Sequence, residues 1–172
     1  MKKSFNSIYN ALILNIIFII VLGIIYPMSM TQIANFFFPY QSNGSINKFG
    51  SELIGLEWKL EKYFHGRPSF SNYDPFASGS SNVSPIDSLF IAKMKDNKQI
   101  PENLRTNSAS GLDPHIDLDS AMYQVPRISQ ARKMPEEKIK KLIIKFKENP
   151  FLGFIGQERI NVLKLNVELD KI

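Results

Sequence analysis

Residues 8–26 read IYNALILNIIFIIVLGIIY, an almost wholly apolar run interrupted by Asn10, Asn15 and Gly23. A helix advances about 1.5 Å per residue, so ~19 residues reach across a hydrocarbon core roughly 30 Å thick. The uncharged stretch is wider than the run itself, because no Asp, Glu, Lys or Arg occurs from Ser4 to Asn47. Lys2 and Lys3 precede it, and Lys48 is the first charge beyond it. Cationic flanks stay on the cytoplasmic side, which predicts an N-terminus inside and everything after Pro27 outside. That orientation separates the rest of the chain from ATP, cytoplasmic cofactors and nucleic acid.

A cleaved signal peptide is the competing reading of such a run. Its apolar region spans about 7–15 residues and ends at a small-x-small cleavage site. This run is longer, and residues 28–35 (MSMTQIAN) offer no such site. Retention as an anchor is therefore expected. Ala11 and Asn15 are four apart and share a helix face, and an amide in lipid is costly unless it finds a partner. That face, with Gly23, is expected to pack on another transmembrane helix, unless Asn15 bonds back to its own backbone.

The expected organisation is a short cytoplasmic N-terminus over residues 1–7, a transmembrane helix over 8–28, an interfacial connector over 29–40 and an extracytoplasmic α+β domain over 41–172. The connector carries Phe36, Phe37 and Phe38, aromatics suited to the membrane interface, and it continues the helix past a kink at Pro27. The outer part is large enough for a core without staples, and the chain has no cysteine, so disulfides and thiolate metal sites are excluded. The net charge of +5 comes with lysines concentrated between Lys133 and Lys147 on one apparent helix face, a solvated face rather than a nucleic-acid footprint.

Along the domain, residues 49–58 (FGSELIGLEW) predict a strand pair or bulged strand, with Gly50 and Gly55 marking irregularities. Residues 63–85 are rich in Gly, Pro, Ser and Asn and predict a long loop, of a length that is often functional. A helix is expected to start at Ser84-Pro85-Ile86-Asp87 and run through Leu89, Phe90, Ala92 and Lys93. Asp117 or Asp119 suits the cap of a short helix ended or kinked near Pro126. Met134-Pro135-Glu136-Glu137 opens a further helix with proline at its first position, carrying Ile139, Leu142, Ile143 and Phe146 as an apolar stripe. Asn149-Pro150 stops it. Leu163, Leu165, Val167 and Leu169 alternate with polar residues and predict a half-buried strand.

Candidate chemistry is sparse. His65 and His115 are the two histidines, and with Asp113 or Asp117 they lack the spacing of a helical metal-ligand pair. Ser108 or Ser110 with His115 and an aspartate would compose a hydrolase site, yet no G-x-S-x-G or Ser-x-x-Lys motif surrounds them. A tethered binding module for an external ligand is the remaining alternative. No catalytic, cofactor or metal site is expected in this chain.

Six motifs in order are more informative together. They are PYQSNGS at 39–45, YFHGRPS at 63–69, SGSSN at 78–82, SASGLDPHI at 108–116, YQVPR at 123–127 and RINVLKLN at 159–166. With the N-terminal membrane helix, this series resembles the KdpC family, the C subunit of the Kdp-type potassium-transporting P-type ATPase. Ser42, Ser80, Ser84 and Glu158 depart from the residues common in that family, all at turns. The resemblance implies a non-catalytic subunit of a plasma (inner) membrane complex that imports potassium using ATP and Mg. Its implied partners are a channel-like A subunit, an ATP-hydrolysing B subunit and a small F subunit. The expected role is stabilising that assembly, with any influence on ATP use exerted by conformational coupling. The loops carrying His65, Gly66, Arg67 and Pro68, and Ser110, Gly111, Asp113, Pro114 and His115, are expected to dock on the channel-like subunit, together with Arg127.

Overall fold

The computed structural model describes residues 2–84, 86–96 and 98–172. Pro85 of the expected helix start lies outside them, as do the side chains of Lys2, Lys3, Leu89 and Lys93. Two compact units divide the chain, residues 1–46 and 47–172.

The first unit is helical almost throughout. α1 (Lys2–Ile20) passes through one π-helical turn (Val21–Ile25) into α2 (Tyr26–Phe37), and a short α3 (Pro39–Ser42) follows. The π turn has a local cause. Pro27 has no N–H to give to the preceding turn, and the Tyr26 N–H reaches back five residues to the Val21 carbonyl. Ser29 and Thr31 hydroxyls donate to the carbonyls four residues earlier, both at 2.8 Å, so polar side chains beyond the proline satisfy themselves on the helix. Residues 6–37 form a helix long and apolar enough to cross a membrane, with none of its most apolar window buried within the chain.

The second unit is a small α+β domain. After the short strands β1 (Ile46–Asn47) and β2 (Gly50–Ser51), irregular backbone runs to α4 (Ser88–Asp96) and the four-residue α5 (Glu102–Arg105). Then come β3 (His115–Ile116), α6 (Leu118–Arg132), α7 (Glu136–Phe146), β4 (Lys147–Glu148), β5 (Arg159–Asn161) and α8 (Val162–Leu169). The last three strands form an antiparallel sheet in the order β3-β5-β4, with His115 opposite Asn161 and Lys147 opposite Ile160, while β1 and β2 pair separately. α6, α7 and α8 bury Val125, Ile128, Ile139, Ile143, Leu165 and Leu169 against Ile160 and Phe64.

The stripe on α7 is where the periodicity places it, with Ile139, Leu142 and Ile143 buried, although Pro135 caps the helix rather than occupying its first turn. Asp87 accepts from the Phe90 N–H at 3.0 Å at the start of α4. Three expectations are corrected.

The alternating run 163–169 is a helix and not a strand. Its buried positions are Val162, Leu163, Leu165, Asn166 and Leu169, and four of these follow i, i+3, i+4, i+7. Asn161 caps it, its side-chain oxygen accepting from the Lys164 N–H at 3.1 Å. Pro126 does not end α6, which runs six residues farther to Arg132. Ala121, Gln124, Val125 and Ile128 hold the opposite face in the core, while the proline ring points to solvent.

Residues 52–58 are not a strand pair. Gly50 sits at φ +139°, and the Gly55 N–H donates to the Leu112 carbonyl at 2.7 Å. A Cβ on Gly55 would lie 2.7 Å from the Asp113 carbonyl oxygen, so this stretch packs by backbone contact rather than by pairing.

Candidate functional site

The YFHGRPS motif lies in an irregular strap, residues 60–68, laid across α6 and α8. Irregular backbone is expensive to bury because its N–H and C=O groups lack ladder partners. Here side-chain amides replace the ladder. Asn166 accepts from the Phe64 N–H at 2.8 Å and donates to the Phe64 carbonyl at 2.9 Å. Gln124 treats His65 in the same way, at 2.8 and 3.1 Å. Phe64 itself is fully buried.

Two arginines fasten the same strap. Arg127 donates to the Glu61 carbonyl at 2.6 Å, the Tyr63 carbonyl at 2.9 Å and the Gln124 side-chain oxygen at 2.7 Å. Arg132 donates to the Lys62 carbonyl at 2.8 Å and pairs with Asp170 at 2.6 Å. Asp170 also accepts from the Tyr63 hydroxyl at 2.8 Å, and the Tyr63 ring packs against Trp58 at a tilt of 54°, with centroids 4.7 Å apart. The forked guanidinium makes these contacts possible, since one Arg reaches several carbonyls in one plane. His65 lies beside Arg127, and burial followed by that cation lowers its pKa below the ordinary imidazole value.

A second cluster gathers the other motif residues. Arg67 reaches Asp113 at 3.3 Å, the Thr106 hydroxyl at 3.4 Å and the Asn107 carbonyl at 3.3 Å. Asp113 accepts from the His115 N–H at 3.0 Å, and its same oxygen lies 3.6 Å from His115 Nδ1. Burial works to raise the Asp113 pKa. Hydrogen bonds from the His115 ring and main chain, and the Arg67 guanidinium, outweigh it and hold the carboxyl below its ordinary value. Arg67, Asp113 and His115 open on a polar cleft of about 360 Å³, which Asp117, Glu158 and Arg159 also line.

The remaining motif residues fix loops. The Ser110 carbonyl accepts from Gly79 N–H at 2.9 Å and from the Ser78 hydroxyl at 3.0 Å. Gly111 sits at φ +72°, and a Cβ there would lie 2.5 Å from Ser71 Oγ and 2.9 Å from the Gly79 carbonyl. Pro68 and Pro114 present their carbonyls to Ser108 N–H at 3.1 Å and Val162 N–H at 2.9 Å. Gly66 carries no steric demand of that kind, its nearest would-be contact being the Tyr73 hydroxyl at 3.5 Å. The hydrolase arrangement does not assemble: the Ser110 hydroxyl accepts from Leu112 N–H at 3.1 Å, and among the described residues the Ser108 hydroxyl is buried without a partner and no hydrogen bond joins either to His115.

In the first unit, Ala11, Asn15 and Gly23 are all exposed, and a Cβ on Gly23 would meet nothing within 4 Å. Among the described residues no side-chain hydrogen bond involves Asn15, unlike Ser29 and Thr31.

Over residues 8–171 the chain matches the family described as KdpC: K+-transporting ATPase, c chain. The chain belongs to the KdpC family. Similar proteins bear the name potassium-transporting ATPase KdpC subunit. That of Caldanaerobacter subterraneus is 41% identical, covering 90% of this chain and 89% of its own length. The Bradyrhizobium diazoefficiens protein is 38% identical over 96% and 97%. The Geotalea uraniireducens protein is 40% identical over 97% and 98%. The KdpC name denotes one subunit of a potassium-transporting ATPase and not its catalytic chain. Sequence reasoning placed the KdpC motifs without seeing what Gln124, Asn166 and Arg132 do. Asn166 had a usable signal, because on a helix it falls within the apolar stripe of Val162, Leu165 and Leu169, where a polar residue must be paired.

Proposed function

We propose that this chain is a non-catalytic assembly subunit that holds together the channel-like A subunit and the ATP-hydrolysing B subunit of a potassium importer, with the small F subunit alongside. Asn15 carries the reading. Among the described residues its amide has no hydrogen-bond partner, and it stands in a stretch apolar enough to span a bilayer. An unpaired amide in hydrocarbon costs free energy that a neighbouring helix relieves, and Ala11 leaves room for such a neighbour to approach.

In this reading Lys2 and Lys3 keep the N-terminus cytoplasmic and the domain lies outside. ATP, Mg and potassium are handled by the other subunits. Any effect of this chain on ATP use is then a coupling free energy, passed on by favouring one conformation of the pump. The docking face is the cleft rim of Arg67, Asp113 and His115. Arg67 and His115 are only partly buried there, so a partner's carbonyls or carboxylates can approach their exposed edges.

Purification of the assembled membranes through a tag on this chain tests the proposal. The A and B subunits are expected to be recovered with it, and Asn15→Leu is expected to lower that recovery. Recovery of this chain alone overturns it. A phosphatase fused after Ile172 is expected to be active, and an inactive fusion reverses the orientation.

A further inference from the structure

Between β4 and β5 the chain projects a loop whose chemistry differs from the rest of the domain. Residues 149–157 (NPFLGFIGQ) carry no charge. Phe151, Leu152, Phe154 and Ile155 are 70%, 70%, 77% and 52% exposed, and none belongs to the core. Leu152 adopts φ +53°, a left-handed conformation unfavourable for a branched apolar residue, in a turn completed by Gly153 and Gly156. A soluble surface would place Asn or Gly there.

Four N–H groups of this tip, those of Phe151, Gly153, Phe154 and Ile155, are bonded within it. Phe151 and Ile155 exchange both main-chain hydrogen bonds at 2.9 Å. Gly153 N–H donates to Pro150 at 3.0 Å and Phe154 N–H to Phe151 at 3.3 Å. Each donor satisfied internally lowers the cost of leaving water, and a shallow position leaves the other backbone groups within reach of hydrated headgroups. At its base the charges are paired, Lys147 with Glu158 at 2.7 Å and Arg159 with Glu148 at 2.9 Å. The base is thus neutral as well as the tip, and matches an uncharged phase rather than an oppositely charged protein surface.

We infer that residues 151–155 insert into the headgroup–acyl boundary of the bilayer that holds this chain's own helix, as a second and shallow membrane contact of the domain. The inference rests on residues 6–37 being a membrane span. That anchor keeps the domain at high effective concentration near lipid, so a four-residue apolar tip suffices where it would not hold a free protein. The expected depth is roughly 5–10 Å. Paired base charges make the insertion indifferent to anionic lipid.

The chain contains no cysteine, so single substitutions can be labelled. Full-length chains carrying Leu152→Cys or Phe154→Cys, each with a fluorophore, are reconstituted into phosphatidylcholine vesicles. Phe76→Cys, at a 98% exposed position, is the aqueous reference. Both tip labels are expected to lose quenching by iodide and to gain quenching by brominated acyl chains, while the reference label does the reverse. Equal results with added anionic lipid are expected. Tip labels in floating vesicles that remain open to iodide overturn the inference and leave the anchor standing. Shielding that arises only when the A and B subunits are co-reconstituted, without quenching by brominated lipid, also overturns it and identifies a protein contact. A chain that does not float with vesicles overturns the anchor reading and this inference together.

Discussion

Two irregular stretches of the domain solve opposite problems. The strap at residues 60–68 buries backbone, and Asn166, Gln124, Arg127 and Arg132 supply the partners that a sheet would otherwise provide. The tip at residues 151–155 bonds four of its own N–H groups internally and leaves its apolar side chains uncovered. In the strap, polar side chains from elsewhere complete a fold. In the tip, nothing in the domain completes the surface. Function-bearing polarity is therefore easy to misplace: His65, Arg127 and Arg132 are tied into the chain's own strap, whereas the uncovered side chains of the tip are apolar.

If that contrast holds, the largest loss comes from the strap. Asn166→Leu keeps the volume and removes both bonds to Phe64, leaving a buried N–H and C=O unpaired. The expected cost is about 3 kcal/mol. Denaturant unfolding of the full chain in detergent, followed by the emission of the single tryptophan Trp58, measures it. A cost below ~1 kcal/mol would show the strap to be held by Phe64 packing alone. Next in size is Gly111→Ala, which adds a Cβ against Ser71 and Gly79 at a positive φ. About 2 kcal/mol is expected from overpacking and backbone strain together. Unchanged stability would mean that the 78–79 loop is free to move away.

How much of this was legible beforehand varies by element. The long N-terminal apolar helix and α7 were, because charge absence and a 3.6-residue stripe are local signals. The α8 segment is ambiguous in sequence because Leu163, Leu165, Val167 and Leu169 also satisfy a two-residue period, which would put Asn166 on the opposite face from them. Pro126 reads in sequence as an end or a kink, and the burial that carries α6 past it, at Val125 and Ile128, depends on partners far away in sequence. The strap was visible as a motif and silent as a mechanism, since its partners lie 59 and 102 residues away. The Arg67–Asp113–His115 grouping was named as two loops, and its meeting at one cleft is a tertiary fact.

A smaller effect sharpens the strap side through pH. Burial, and after it Arg127, lower the folded-state pKa of His65, with Glu61 opposing them. The unfolded chain takes up this proton near pH ~6.5, where the folded chain still resists it. Stability is then full above that value and falls as pH drops from ~6.5 toward the lower folded pKa. His65→Gln keeps the main-chain bonds to Gln124 and is expected to flatten the slope in that window. An unchanged slope assigns it to other groups. Asp113, also depressed, acts in a separate and more acidic window: its contribution is present above the ordinary carboxylate value and is lost as pH falls through the folded pKa.

The smallest expected effect tests the other side of the comparison. Phe154→Ser removes a large apolar side chain, which in a core costs about 3–5 kcal/mol. At the tip the ring is as open in the folded chain as in the unfolded one, so its transfer from water or detergent cancels between the two states. The Phe154 N–H bond to Phe151 is made by backbone and survives the change. Unfolding in detergent should therefore shift by no more than ~0.5 kcal/mol. A shift of core size would mean that the tip is covered by its own chain, and the contrast with the strap would fail. A null shift, set beside a large cost for Asn166→Leu, would separate residues that hold the domain together from residues whose partner lies outside it.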